Sequence, residues 1–183
     1  DTDKTIKSLL QQALSIYRID EKLLCKLNPD IIITQSQCNV CAVSLKDVEI
    51  ALQKDIGINP KIISLNPVNL EDVWKDIYTI ATGLEVEARG IDLMNLIRSD
   101  IKNLKSIVEN KVESVTVACI EWIEPLMYAG NWVPDLVELA GGIDLCGTKG
   151  HHSSWSSNET LFEKNPDKII LMPCGYNIEK TIK

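Results

Sequence analysis

The stretch LCKLNPDIIIT at residues 24–34 is nearly repeated as LFEKNPDKIILM at residues 161–172. Each copy runs from helix-spaced residues through Asn-Pro-Asp into an unbroken aliphatic run. Proline has no N–H for a helix ladder and drives the residue before it out of helical geometry, so each helix must stop at Asn28 and at Asn165. The runs Ile31–Ile33 and Ile169–Met172 do not alternate with polar residues. That is the pattern of strands covered by helices on both faces, as in a parallel sheet. Two copies of helix, stop and strand in one chain predict two similar α/β lobes.

The remaining periodicity fits that plan. Residues 4–15 and 20–27 have helical spacing. Ser44 is placed to cap a helix over 44–57 that ends at Gly57, and Lys61–Leu65 reads as a strand. Asn69 opens a helix whose Val73, Ile77, Ile80 and Leu84 share one face, with Gly83 ending or bending it. The longest helical pattern, 85–111, carries Leu93, Ile97, Ile101, Leu104 and Val108 on one stripe. At 1.5 Å per residue it would reach about 40 Å, the length of a strut rather than of a helix within one small lobe. A strand at 115–120, a helix at 132–142 stopped by two glycines, a short helix at 156–164 and a strand at 168–172 follow. The expected organisation is an N-terminal α/β lobe at 1–84, a connecting helix at 85–112 and a C-terminal α/β lobe at 113–183.

Composition limits the partners. A hydrophobic content of 45% is enough for a packed core in 183 residues. The formal net charge of −7, with no Lys/Arg stripe on any predicted face, argues against nucleic acid. No run approaches the ~20 apolar residues of a membrane span, and the opening DTDKTIKSLL lacks the apolar core of a signal peptide. Six cysteines do not by themselves imply a disulfide framework in a chain with a real core. Cys25 and Cys119 sit in apolar patterns and are expected to be small core residues.

Ligands of open α/β sheets sit beyond the carboxyl ends of the strands, so the post-strand loops are the informative ones. They are Gln35–Cys41, Glu121–Trp132 and Pro173–Tyr176, together with Gly150–Trp155, which holds both histidines. The tryptophans there either plug the lobe or, standing beside carboxylates and amides, line a site for a large, flat, amphipathic ligand. Cys38-x-x-Cys41 follows a strand and precedes a helix, where it reads as a redox pair, as half of a zinc site with His151 or His152, or as ligand-lining cysteines. The dinucleotide, Walker A, nucleophile-elbow and His-Glu-x-x-His motifs do not occur, so no catalytic residue is assigned.

Three stretches carry a family resemblance: SIYRIDEKLLCKLNPDIIITQSQCNVCAV, CIEWIEPLMYAGNWVPDLVELAGG and NETLFEKNPDKIILMPCG. They resemble the substrate-binding proteins of ABC importers for cobalamin and iron chelates, most of all the cobalamin-binding branch. The resemblance covers nearly the whole chain. It implies two α/β lobes joined by one long helix, with the ligand in the cleft between them. The function implied is to bind cobalamin or another corrinoid and pass it to a membrane permease. Haem or a ferric siderophore is the alternative ligand, and a tetrapyrrole chelatase-like enzyme or a CxxC redox protein are rivals from other classes. Because they follow strand ends on the two lobes, Gln35, Cys38, Glu121, Trp122, Trp132, His152 and Trp155 are the expected cleft lining. The resemblance further implies docking of the permease by Glu159, in the first turn of the helix before the second Pro-Asp. The same offset in the first copy falls on Lys22, which leaves Glu21 or Asp20 as its counterpart. The metal chelate is then cargo rather than prosthetic group, and the protein a monomer outside the cytoplasm, associated with the membrane. Proteins of that family begin with a further βαβ portion and continue beyond the position of Lys183. The chain is therefore expected to be the middle of a longer protein, with the first lobe incomplete and any signal or lipid anchor upstream.

Overall fold

The computed structural model describes residues 18–37, 43–53, 57–108 and 114–182. The chain divides into two compact units, 1–66 with 76–90, and 67–75 with 91–183. The expected helix at 4–15 lies outside the described residues, as do Cys38 and Cys41.

Both copies of the repeated phrase fold alike. Asp20 caps α1 (Glu21–Leu27), its Oδ1 accepting the Leu23 N–H at 3.0 Å, and Asn28 closes the helix in the left-handed region at φ 42°, ψ 59°. Its N–H donates to the Leu24 carbonyl at 3.0 Å. In the second copy Ser157 caps α6 (Asn158–Lys164) and Asn165 closes it at φ 44°, ψ 59°, donating to the Leu161 carbonyl at 3.2 Å. Asparagine tolerates this conformation better than any other residue with a Cβ, and the following proline prevents a further turn. Each helix has an acid in its first turn and a lysine in its last, in favourable alignment with the helix dipole.

In the first unit α1 leads into β1 (Ile31–Gln35), which pairs in parallel with β2 (Lys61–Leu65) from Ile31↔Lys61 to Gln35↔Leu65. Between them lies α2 (Leu45–Leu52), opened by a capping box in which Ser44 and Asp47 exchange side-chain to backbone hydrogen bonds. Among the described residues, Val48, Ala51, Ile63 and Ala81 are buried apolar side chains of this unit. Ala81 belongs to α3 (Leu70–Gly83), capped by Asn69, whose Oδ1 accepts the Asp72 N–H at 2.9 Å. Gly83 ends it where a Cβ would lie 2.2 Å from Ile63 Cδ1, so a larger residue would have to displace the tip of that side chain. Glu85 at φ 59° then separates α3 from α4 (Glu87–Val108). At 22 residues α4 is about 33 Å long. The unit boundaries fall within both helices, at 75/76 and 90/91.

The second unit is organised on β3 (Val115–Trp122). It pairs in parallel with β5 (Gly142–Asp144) and β7 (Lys168–Leu171), and antiparallel with β4 (Met127–Tyr128), which pairs in turn with β6 (Ser154–Trp155). Two clusters flank β3. Val117 and Cys119 pack with Ala129 and Val137 of α5 (Val133–Leu139), while Ala118 and Ile120 pack with Leu126 and Tyr128 against Leu161 of α6. The chain closes with α7 (Ile178–Ile182).

The fold is mixed α/β, as expected, with two departures from the reading of the strands. The sheet of the second unit is not all parallel, because Glu121–Trp132, read as one loop, folds back on β3 and supplies β4. The strand buried on both faces is β3, not the aliphatic run of the repeat: β7 is exposed throughout, with Ile169 and Ile170 at 51% and 45%. An aliphatic run reports the apolarity of a strand. Which strand becomes central depends on what pairs and packs beside it.

Candidate functional site

Glu121 and Trp122 end β3 at a register shift against β4, where Ile120 pairs with Tyr128 and Trp122 with Met127, so Glu121 is the extra residue of a bulge. Glu121 accepts a hydrogen bond from the Ser153 hydroxyl, and the same oxygen of Ser153 accepts the Gly130 N–H at 3.2 Å. The loop carrying Ser153 is closely held. Asn131 donates its N–H to the His151 carbonyl at 2.6 Å, Gly150 returns one to the Asn131 carbonyl at 3.1 Å, and a Cβ on Gly130 would stand 2.4 Å from the His151 oxygen. At its start, Asp144 Oδ1 accepts the N–H groups of Cys146 and Gly147, both at 2.8 Å. His152 is exposed on this loop beside Ser153, and Trp155 follows in β6 at 63% exposure, so it does not plug the core.

A buried carboxylate anchors the same loop from below. Asp135 of α5 accepts the Leu70 N–H at 3.0 Å and an ion pair from Lys149, whose pKa it raises by holding the ammonium. Trp132, at the cap position of α5, is half-buried and makes no side-chain capping bond.

The Trp122 indole N–H donates to the Glu124 carbonyl at 3.1 Å. Its ring meets Tyr176 edge-on, with centroids 5.5 Å apart and planes at 64°. The Lys180 ammonium lies 3.6 Å from the centre of the Tyr176 ring. Sequence reasoning placed Tyr176 in a post-strand loop and overlooked Ser153 and Lys180. The four-residue interval from Tyr176 to Lys180, one turn if α7 follows β7 directly, was the available signal.

Gln35 ends β1 in the first unit, half-buried, and is bridged to Ser44. A cavity of about 440 Å³ lies beside it, lined by Leu24, Ile32, Val43, Val48 and Leu65, with Thr34 and Gln35. The Thr34 hydroxyl is spent on the Val43 carbonyl at 2.6 Å, which leaves an almost wholly aliphatic wall. Such a wall lacks the several polar groups that orient a ligand, so the edge at Glu121 and Trp122 carries the functional argument.

Glu159, in the first turn of α6, is exposed, and the Ser157 hydroxyl and its own backbone N–H hold its carboxyl below the ordinary value. Glu21 opens α1 and is half-buried. Of the thiols, burial pushes Cys119 up to about 11 and raises Cys146, which keeps both protonated and unreactive near neutrality. Among the described residues no group of three or more His, Cys, Asp and Glu is arranged to hold a metal, and no helix is long and apolar enough to cross a membrane.

Two α/β units that share long helices, with aromatic and hydrogen-bonding loops at a strand edge, define a solute-binding fold. The chain belongs to the periplasmic binding protein family, whose profile matches residues 12–183. No curated protein matches it in sequence. Among solved structures, a possible iron-binding periplasmic solute-binding protein of Staphylococcus epidermidis is similar at TM-score 0.68 and 17% identity, over 84% of this chain and 58% of that one. The heme-complexed IsdE of S. aureus is similar at 0.66 and 19%, over 89% and 61%. The periplasmic vitamin B12 binding protein BtuF of Vibrio cholerae is similar at 0.59 and 17%, over 84% and 57%. The chain thus spans less than two thirds of each of these proteins, and at such identities the likeness carries the fold.

Proposed function

We propose that the protein is the substrate-binding component of an ABC importer for a metal chelate, cobalamin or another corrinoid, which it delivers to a membrane permease from outside the cytoplasm. The observation that carries this reading is the carboxyl edge of β3, where Glu121 with its Ser153 loop and Trp122 with Tyr176 present hydrogen-bonding and aromatic groups side by side. Large flat ligands with polar rims are held by that combination. Trp132, His152 and Trp155 would extend the contact on this unit. A second reading, haem or a ferric siderophore, is supported by the similar fold of the heme-complexed protein. Neither reading assigns a catalytic residue.

The test is the absorption spectrum of the protein after exposure to cobalamin, haem and ferric siderophores followed by gel filtration. Retention of corrinoid bands at one per chain, unchanged over hours, is expected. Retention of none of them, or insertion of metal into a free macrocycle, overturns the proposal. Glu159 is assigned to permease docking, where an exposed ion pair contributes mainly to orientation and encounter. Glu159→Ala is expected to leave chelate retention intact and to weaken permease-dependent uptake. Lost retention with normal permease association would place this glutamate on the ligand side instead.

A further inference from the structure

Lys180 is a cation held against an aromatic ring at the edge where the sheet receives its ligand. The edge is formed by the ends of the parallel strands β3 and β7, the position at which open α/β sheets bind. Trp122 comes from the first and Tyr176 from the loop after the second. The indole is fixed at both ends, by its N–H on the Glu124 carbonyl and by its edge-on contact with Tyr176. The Tyr176 ring in turn seats the ammonium at 3.6 Å. A cation on an aromatic face is partly desolvated and restricted, yet an ammonium has three donors and the ring engages only one side of it.

Among the described residues no carboxylate pairs with Lys180, although Glu179 adjoins it in sequence. Glu121 is engaged by Ser153. In a chain of net charge −7, the ammonium on the Tyr176 ring places a positive charge at this edge, where an anion can be drawn to it.

We propose that Trp122, Tyr176 and Lys180 form an oxyanion-selecting subsite, in which the ammonium takes an oxyanion on the rim of a chelate lying against the two rings. The inference rests on the function proposed above and narrows it to chelates bearing such a group. The oxyanion has two sources in that class, the phosphodiester of a corrinoid's nucleotide loop or the carboxylates of haem side chains.

Binding titrations on the full chain separate them. Cobalamin is compared with cobinamide, which lacks the phosphodiester, and haem with its dimethyl ester, each against wild type, Lys180→Met and Lys180→Arg. Wild type is expected to prefer the oxyanion-bearing member of one pair by about fivefold, a preference that weakens as salt is added. Lys180→Met should bring that ratio to about one while leaving affinity for the neutral member within about twofold, and Lys180→Arg should retain most of it. The pair that responds identifies the source. An unchanged ratio in Lys180→Met, or an equal loss for both members, overturns the subsite while leaving the transport reading in place. Failure of wild type to bind any of the four compounds overturns the subsite, and the transport reading as well if ferric siderophores are not retained either.

Discussion

Asn28 and Asn165 end their helices with nearly the same left-handed turn, φ/ψ 42°/59° and 44°/59°, yet the strands that follow are tied down differently. In the first copy the link is made by backbone, the Lys61 N–H donating to the Asp30 carbonyl at 2.9 Å as β1 meets β2. In the second it is made by a side chain. Asp167 Oδ2 accepts the Thr116 N–H at 2.8 Å and the Thr116 hydroxyl at 2.6 Å, while the Asp167 N–H returns to Thr116 Oγ1 at 2.9 Å. The fates of the strands also diverge. β1 is mostly half-buried, whereas β7 is exposed along its length beside β3, which is buried from Val117 to Ile120. Equal local sequences therefore make equal local structure, and long-range partners decide how much each piece contributes to stability.

The strongest way to break this comparison is to truncate aliphatic residues in neighbouring strands. Ile120 in β3 is 1% exposed, and Ile120→Ala is expected to cost about 2–5 kcal/mol in urea unfolding, the transfer loss plus the cavity. Ile170→Ala in β7, from a side chain 45% exposed, is expected to cost about 1–2 kcal/mol. Equal losses would mean that β7 is as central as β3.

The helix stops test the opposite claim, that the two copies are equivalent. Asn28→Ala and Asn165→Ala should each cost about 1–2 kcal/mol, because alanine resists the left-handed region, and Asn→Gly at either site should cost little or nothing. Thermal unfolding of the four variants suffices. A large penalty at one copy alone would show that its cap is set by tertiary contacts rather than by the turn.

The smallest effect concerns acid. The hydroxyl and the backbone N–H of Thr116 hold the Asp167 carboxyl below its ordinary 3.8. The folded pKa being the lower one, the stabilisation is fully present above 3.8 and is lost as the pH falls through the folded value. Asp167→Asn should therefore lower the unfolding midpoint at neutral pH, with the gap to wild type shrinking as the pH drops below 3.8. Among the described residues the Asp30 carboxylate makes no such bond into its strand pairing, and Asp30→Asn serves as the control. A gap that stays constant with pH would assign the effect of Asp167 to packing rather than to its charge.

Much of this was legible without coordinates. The helix ends at Asn28 and Asn165, the caps at Ser44 and Asn69 and the strand Lys61–Leu65 all appear where spacing and turn chemistry put them. Likewise Glu121 and Trp122 could be assigned to a strand end. Their partners could not. Ser153 lies 32 residues from Glu121, and nothing in either neighbourhood announces the bond. The strands Met127–Tyr128 and Ser154–Trp155 have two residues each, too short to show any period, and exist because they pair with each other and with β3.

The sequence by itself determined where helices stop and which runs are apolar, because a proline, an asparagine cap or an aliphatic run acts on its own backbone within about four residues. Only the tertiary structure decided that β3 is the core strand, that Asp135 holds Lys149 and Leu70 together, and that Lys180 rests on Tyr176 beside Trp122. The first two are settled by pairings between segments far apart in the chain. The last depends on where β7 delivers the Tyr176 loop against the end of β3. Such contacts form only after the sheet has brought those segments together, and no local pattern encodes which partners it will choose.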